Sequence, residues 1–356
     1  MKIVILGFGE LTEGGWTNPQ WMAKTLASKK YHVDYFNPPA YRMLKSQDLK
    51  RFFYRLFFLK KTSNKFFSHN VIYPFKFFGK FFNKNLHNLI ESSDVIIIFQ
   101  PNWLRCIEYK NIRHKKVIYF KTDDYHSIAK NELLINRFES LLIEASSSVC
   151  VTSKNLMLKD RNYFYFPNCI PKSILDSLSL TERPKSKENI SKACFIGAIW
   201  DEKVNIEMLI NFIYDLKNID FHFAGKILSK RFQDFIENSP ENFKYHGVLP
   251  FEEAQNLAEE SDFGLMPFLI NKYTDSMFSM KFFEYIAAGI PVLTTNIKML
   301  NEIDNFKKYI VISNNFSKHD LKKIHKIRID SNEVKTKLNE YTYESRIDKM
   351  THLNIL

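Results

Sequence analysis

A chain of 356 residues, 45% of them hydrophobic, favours two domains over one and has ample core; its formal net charge is +12. It has no run of 18 or more uncharged apolar residues, so no membrane-spanning helix is expected. Four scattered cysteines (Cys106, Cys150, Cys169 and Cys194) with no C-x-x-C argue against a zinc site or a disulfide framework and fit a reducing cytoplasm.

In chain order, MKIVILGFGE is too short and too soon polar for a signal peptide, and KIVILGFG reads as a first strand followed by the loop ELTEGGWTN. Pro19 to Lys29 reads as a helix and YHVDYFN as a second strand. From Arg42 to Lys84 there are eleven Lys and Arg against the single acid Asp48, which is +10 of the total +12. This excess points to one anionic partner surface rather than to a generally basic protein. DVIIIFQP, KVIYFKTDD and SSVCVTS are further short strands with helical stretches between them. VIIIF is apolar without alternation, as in a parallel sheet covered on both faces.

Ile170 to Lys192 is polar, rich in serine and mixed charge, and holds two prolines, so it reads as a connection between domains. The alternation then restarts. ACFIGAI is a strand and VNIEMLINFIYDLKN a helix; IDFHFAGK and NFKYHGVLP contain strands. PFEEAQNLAEES is a helix, DFGLMPF a strand, and YIVIS a last strand. The expected organisation is a first α/β domain over 1–170 carrying the basic aromatic segment 42–88, a linker over 171–192, a second α/β domain over 193–335, and a helical tail over 336–356 that is free to pack back on the first domain.

One stretch, MFSMKFFEYIAAGIPVLTT from Met277 to Thr295, carries the most chemistry. Ser276 suits an N-cap, 277–288 a helix, Gly289 the left-handed position after it, and PVLTT a buried strand. Lys281 and Glu284 are three apart and share a face on a helix that is otherwise apolar. Such a pair either satisfies itself in a core or lines a cleft.

Four segments together resemble a known family. NFKYHGVLPFEEAQNLAEESDFGLMPF running into MFSMKFFEYIAAGIPVLTT is the most specific, and CFIGAIWDEKVNIEMLINFI the next. IYFKTDDYHS with RFESLLIEASSSVCVTSKNL and YFPNCIP, and GELTEGGWTNPQWMAKTLA, complete the set. They resemble the retaining family-4 (group 1) glycosyltransferases of bacterial teichuronic-acid, exopolysaccharide and capsule synthesis. The resemblance implies an α/β fold of GT-B type, with two Rossmann-like doubly wound domains facing each other across a cleft. It implies that Glu284 accepts hydrogen bonds from the donor ribose, which suits the two oxygens of a carboxylate facing a vicinal diol. Lys281 and the helix N-terminus near Ser276, Met277 and Phe278 would meet the diphosphate. Gly14, Gly15 and Gly197 would lie beside donor phosphates, Lys226 would join them or sit in a plain turn, and His246, Gly247 and Val248 would bracket the base. Ser276 departs from the pattern, since many members carry a second glutamate there, so whatever that carboxylate does for the sugar must be done otherwise.

In the resembling enzymes the end of the TDDYHS strand faces the site, so Asp123, Asp124 and His126 are the catalytic candidates, to orient an acceptor hydroxyl or the donor sugar. The plain alternative is an Asp capping the next helix and a surface His126. No cofactor and no essential metal are expected, because helix dipole and basic side chains hold the leaving diphosphate in such enzymes. LKRFFYRLFFLKK and YPFKFFGKFFNK interleave cations with phenylalanines. Nucleic acid is set aside for want of a recognised fold, and buried core is the bland reading. An anionic membrane surface is the favoured one, docked by Arg51, Arg55, Lys60, Lys61, Lys65, Lys76 and Lys80. The expected protein moves a sugar from a nucleoside-diphosphate sugar to a surface polysaccharide or lipid-linked glycan. It is cytoplasmic and peripheral on the inner face of a bacterial membrane. The alternatives are a nucleotide-sugar 2-epimerase or a non-catalytic relative.

Overall fold

The computed structural model describes residues 1–11, 16–39, 60–63, 65–71, 83–128, 132–158, 162–177 and 190–356. They form two compact units: the described residues up to Pro167 together with Arg346–Leu356, and Asn168–Ser345.

The first unit is built on an eight-stranded sheet. In chain order the strands are β1 (Lys2–Leu6), β2 (His32–Phe36), β3 (Lys60–Ser63), β4 (Phe66–His69), β5 (Val95–Ile98), β6 (Lys116–Lys121), β7 (Ser148–Val151) and β8 (Tyr163–Tyr165). Their spatial order is β3-β4-β2-β1-β5-β6-β7-β8, and only β3 runs antiparallel to its neighbour. The chain moves outward from β1 through β2 to β4, then returns to β5 on the other flank of β1. That reversal makes β1/β5 the topological switch point, where ligands of such sheets bind beyond the strand C-termini. β1 and β5 pair Ile3 with Val95 and Ile5 with Ile97, and all four side chains are buried. Their unbroken apolar runs are required because helices cover both faces. Asn18–Ser28 begins with a capping box between Thr17 and Gln20 and has Pro19 in its first turn, where a missing N–H costs nothing. From the C-terminal helix Tyr343–His352, the buried Arg346 donates to Asn18 Oδ1 at 2.6 Å and to the Pro167 carbonyl, and stacks on Phe120.

The second unit holds a six-stranded, wholly parallel sheet. Its strands are β9 (Lys192–Ile196), β10 (Asp220–Ala224), β11 (Phe243–Tyr245), β12 (Phe263–Met266), β13 (Val292–Thr294) and β14 (Ile310–Ile312), in the spatial order β11-β10-β9-β12-β13-β14. Its switch point is β9/β12. One flank of the core is a cluster of phenylalanines, with Phe223 stacked on Phe232 and edge-on to Phe243, and Phe212 edge-on to Phe221. Lys172–Ser177, inside the stretch read as linker, is helical, and its Ile174 and Leu175 join this core; 178–189 lie outside the described residues.

The key helix starts later than its sequence suggests. Lys272–Ser276 forms a short helix of its own, capped by Asn271 and Thr274, so Ser276 sits in a last turn and its hydroxyl donates to the Tyr273 carbonyl at 2.8 Å. Met277 is extended, Ser279 takes the N-cap, and the helix runs Met280–Ala287. Ser276 is therefore not an N-cap. The capping box at Asn271 competes for the same residues and breaks the run. The C-terminus follows expectation: Gly289 has φ +73, its N–H reaches the Ile286 carbonyl, and that of Ile290 reaches Tyr285, closing the helix.

Candidate functional site

In the second unit the helix Met280–Ala287 is fixed over the switch point by one side chain. Tyr285 is fully buried; its ring fills the space beside Gly264, and its hydroxyl accepts the Ile196 N–H at the end of β9 at 2.8 Å. Burial, with Cys194 next, holds this phenol well above its usual range, so it stays protonated. The N-terminus of the helix has no side-chain cap. Ser276, Met277 and Phe278 are buried, and the Phe278 carbonyl accepts from Asn168 Nδ2 at 2.6 Å. Any anion would thus meet backbone there, not those side chains.

Lys281 and Glu284 form a direct ion pair, so the self-satisfying arrangement allowed by their spacing is present. It is not closed. The Lys281 side chain is 29% exposed and uses one of three donors. Glu284, 7% exposed, uses only Oε2; Oε1 accepts no hydrogen bond among the described residues. One turn from an uncapped helix end, that leaves an acceptor oxygen beside a cation.

Gly197, Gly225 and Gly247 end β9, β10 and β11 side by side. The Gly197 N–H donates to the Ala224 carbonyl at 2.8 Å and that of Gly225 to the Gly247 carbonyl at 2.7 Å. Gly225 has φ +134, and a Cβ there would lie 2.1 Å from the Gly197 carbonyl oxygen; nothing lies within 4 Å of a Cβ at Gly247. The exposed Lys226 has no ion pair among the described residues, and Val248 is 61% exposed. Behind this rim, His222 Nδ1 lies 2.9 Å from His246 Nε2 with the rings stacked. Burial, then Lys192, pushes the His222 imidazole down to about 4; burial, then Lys244, also lowers His246.

In the first unit the end of β6 carries a tight turn. Thr122 Oγ1 donates to Asp123 Oδ2 at 3.0 Å, and Asp124 Oδ1 accepts the His126 N–H at 3.2 Å. So Asp124 caps the short helix Tyr125–Ile128, as the plain alternative had it, but His126 is not a loose surface ring. Its Nε2 lies 2.5 Å from Glu139 Oε2, and its Nδ1 contacts Asn136 Oδ1. Glu139, only 2% exposed, also takes the Tyr119 hydroxyl at 2.5 Å and the Lys121 ammonium at 3.0 Å. Burial and then the neighbouring Glu139 carboxylate raise the Tyr119 phenol well above its usual range, so it remains a donor. Glu139, Lys121 and Tyr119 were not among the sequence candidates. A signal existed: Glu139 falls on the buried stripe Ile135–Leu142 of the helix Glu132–Ala145, where an unpaired acid does not belong.

Gly14, Gly15, Arg51, Arg55, Lys76 and Lys80 lie outside the described residues. Lys60 and Lys61 lie on β3, and Lys65 is exposed, its ammonium reaching the Lys30 carbonyl at 3.3 Å. Among the described residues no three His, Cys, Asp or Glu side chains group as metal ligands, and no helix is long and apolar enough to cross a membrane.

Comparison with known proteins bears on this geometry. Residues 191–326 match the family model described as glycosyl transferases group 1. No curated protein matches. Among solved structures, a sucrose-phosphate synthase from Thermosynechococcus elongatus is similar over 99% of this chain and 98% of its own, with 12% identity and a TM-score of 0.71. An alpha-glucosyltransferase in complex with UDP and a 13-mer DNA is similar over 100% and 99%, with 14% identity and a TM-score of 0.66. A TarM variant from S. aureus, bound to Fondaparinux, alpha-GlcNAc-glycerol and UDP, covers 99% of each chain with 13% identity and a TM-score of 0.63. Identities this low establish the fold, while the family match falls on the unit that carries the Lys281–Glu284 helix. Residues 191–326 are a glycosyltransferase group 1 domain, and the whole chain has the fold of the GT-B glycosyltransferases.

Proposed function

We propose that this glycosyltransferase takes its sugar from a nucleoside-diphosphate donor and passes it, with retention, to a surface polysaccharide or lipid-linked glycan. The observation that carries the donor reading is the half-used Glu284 carboxylate beside Lys281 at an uncapped helix end. Oε1 of Glu284 accepts from the ribose hydroxyls. The two remaining Lys281 donors and the first free N–H groups of the helix meet the diphosphate and stabilise the charge that grows on it as the glycosidic bond breaks. Gly197, Gly225 and Gly247 leave backbone bare for close approach, with Lys226 at the rim. The UDP bound in two of the similar structures supports the same donor class. In the first unit, the turn that carries Asp123, Asp124 and His126 serves the sugar or the acceptor hydroxyl. Retention, the glycan acceptor and a position on the inner face of a bacterial membrane rest on the resemblance and on the basic aromatic segment.

The test is a thermal-shift panel of UDP, GDP, CDP, dTDP and ADP with their common sugar conjugates. A ligand at about 100 times its Kd stabilises by about 2.7 kcal/mol, a shift of several degrees. The expected result is a shift with one nucleotide that Glu284→Ala removes. A shift that survives Glu284→Ala would remove that residue from the site. Product analysis without acceptor separates transfer from 2-epimerisation. For the membrane, reversing Lys60, Lys61 and Lys65 to Glu should weaken binding to anionic vesicles, and unchanged binding refutes that part.

A further inference from the structure

The buried acid in the first unit has a geometry that core packing alone does not explain. A carboxylate on an apolar helix stripe is costly to bury, and a well-packed hydrophobic side chain is often as stable or more so. Glu139 instead splits its two oxygens. Oε1 takes Tyr119 and Lys121, the last residue of β6, and Oε2 takes His126, beyond the turn. The two aspartates lie between the points it holds. The turn is pinned from the sheet side as well: the Thr122 carbonyl accepts from Thr152 Oγ1 at 2.9 Å, and the Tyr125 hydroxyl donates to the Phe99 carbonyl at 2.7 Å. Both ring nitrogens of His126 are taken by Glu139 and Asn136, so this histidine has no nitrogen left for a substrate. Asp124 is different. Its Oδ1 caps the turn, and its Oδ2 accepts no hydrogen bond among the described residues.

We propose that Glu139 is the positioning residue of the Thr122–His126 turn. It clamps Lys121 and His126 on either flank, so that Asp124 Oδ2 is presented as the hydrogen-bond acceptor for a substrate hydroxyl. His126 belongs to the clamp and does not accept the proton. The inference rests on the reading that this turn serves the transfer reaction. Its energetic basis is orientation: misplacing an acceptor by about 1 Å costs roughly a hundredfold in rate.

The experiment uses the full chain, the donor sugar selected by the thermal-shift panel, and release of the nucleoside diphosphate to water. Glu139→Gln keeps the volume but weakens the clamp. The double variant Lys121→Met/Glu139→Met removes both buried charges, so it folds without an unpaired ion. In both, turnover should fall about ten- to a hundredfold at unchanged KM for the donor. Amide exchange should rise about tenfold over 121–128 and stay unchanged in β1 and β7. The double variant should also regain wild-type thermal stability. Turnover within twofold of wild type in the double variant, or unchanged exchange over the turn, overturns the proposal and leaves Glu139 a purely structural acid. Asp124→Asn is the control for the underlying reading. If it turns over at the wild-type rate while exchange in Glu139→Gln still rises, the clamp stands and the catalytic reading of the turn fails.

Discussion

Replacing Gly225 by Ala tests how the glycine rim of the second unit is built. The backbone there has φ +134, so any side chain brings strain of about 1–3 kcal/mol. The new Cβ also falls 2.1 Å from the Gly197 carbonyl oxygen, and one of the two backbones must yield by roughly 1 Å to restore an ordinary contact. Overpacking of that kind costs about 1–3 kcal/mol more. A total near 4 kcal/mol lowers the midpoint of a unit this size by about 8–16 °C. Gly247→Ala is the internal reference: its φ is +73, but its Cβ meets nothing within 4 Å, so only about 1–2 kcal/mol of backbone strain remains. Calorimetry of the full chain reads both. Displacing the Gly197 carbonyl should also shrink the nucleotide-induced shift in Gly225→Ala more than in Gly247→Ala. If Gly225→Ala melts no lower than Gly247→Ala, the close packing of the three glycines is not what the rim depends on.

Tyr285→Phe leaves the buried Ile196 N–H without its acceptor, a loss of about 1–3 kcal/mol to be seen in urea denaturation. The histidine pair sets an acid limit. His222, at about 4 in the folded chain, stays neutral while the unfolded chain takes up a proton, so stability is complete above about 6.5 and drains away as pH falls toward 4. The midpoint should fall between pH 7 and pH 5, and His222→Gln should flatten that slope. Arg346→Ala removes a buried guanidinium bonded to Asn18 and Pro167 and should destabilise the first unit by about 3 kcal/mol, leaving the second unit's transition in place.

The sheet cores were legible because burial on both faces forces unbroken apolar runs such as VIIIF and CFI, and because glycine or proline marks their ends. β3, β4 and β8 were not. They are three or four residues long, and β4 lies in a run of phenylalanines and lysines where period-two alternation is lost. The Lys281–Glu284 pair could be found from spacing, but not the oxygen it leaves unused, since that depends on where one ammonium settles. The late start of its helix was hidden by two serines that both suit an N-cap; only the competing box at Asn271 decides between them. Glu139 was missed because it lies thirteen residues past His126, and no local pattern links a strand end to a helix across an intervening loop.

The first unit takes its final residues, Arg346–Leu356, from the part of the chain that follows the second in sequence. On a ribosome, which releases the chain from its N-terminus, the second unit has all its residues before Arg346 emerges. Until then the helix start at Asn18 and the face of Phe120 lack the guanidinium that covers them in the finished protein. The unit made first is therefore the last to be completed. A ribosome stalled near the end of the message would hold a folded second unit and an unfinished first one, and that first unit is the natural place for a chaperone to engage.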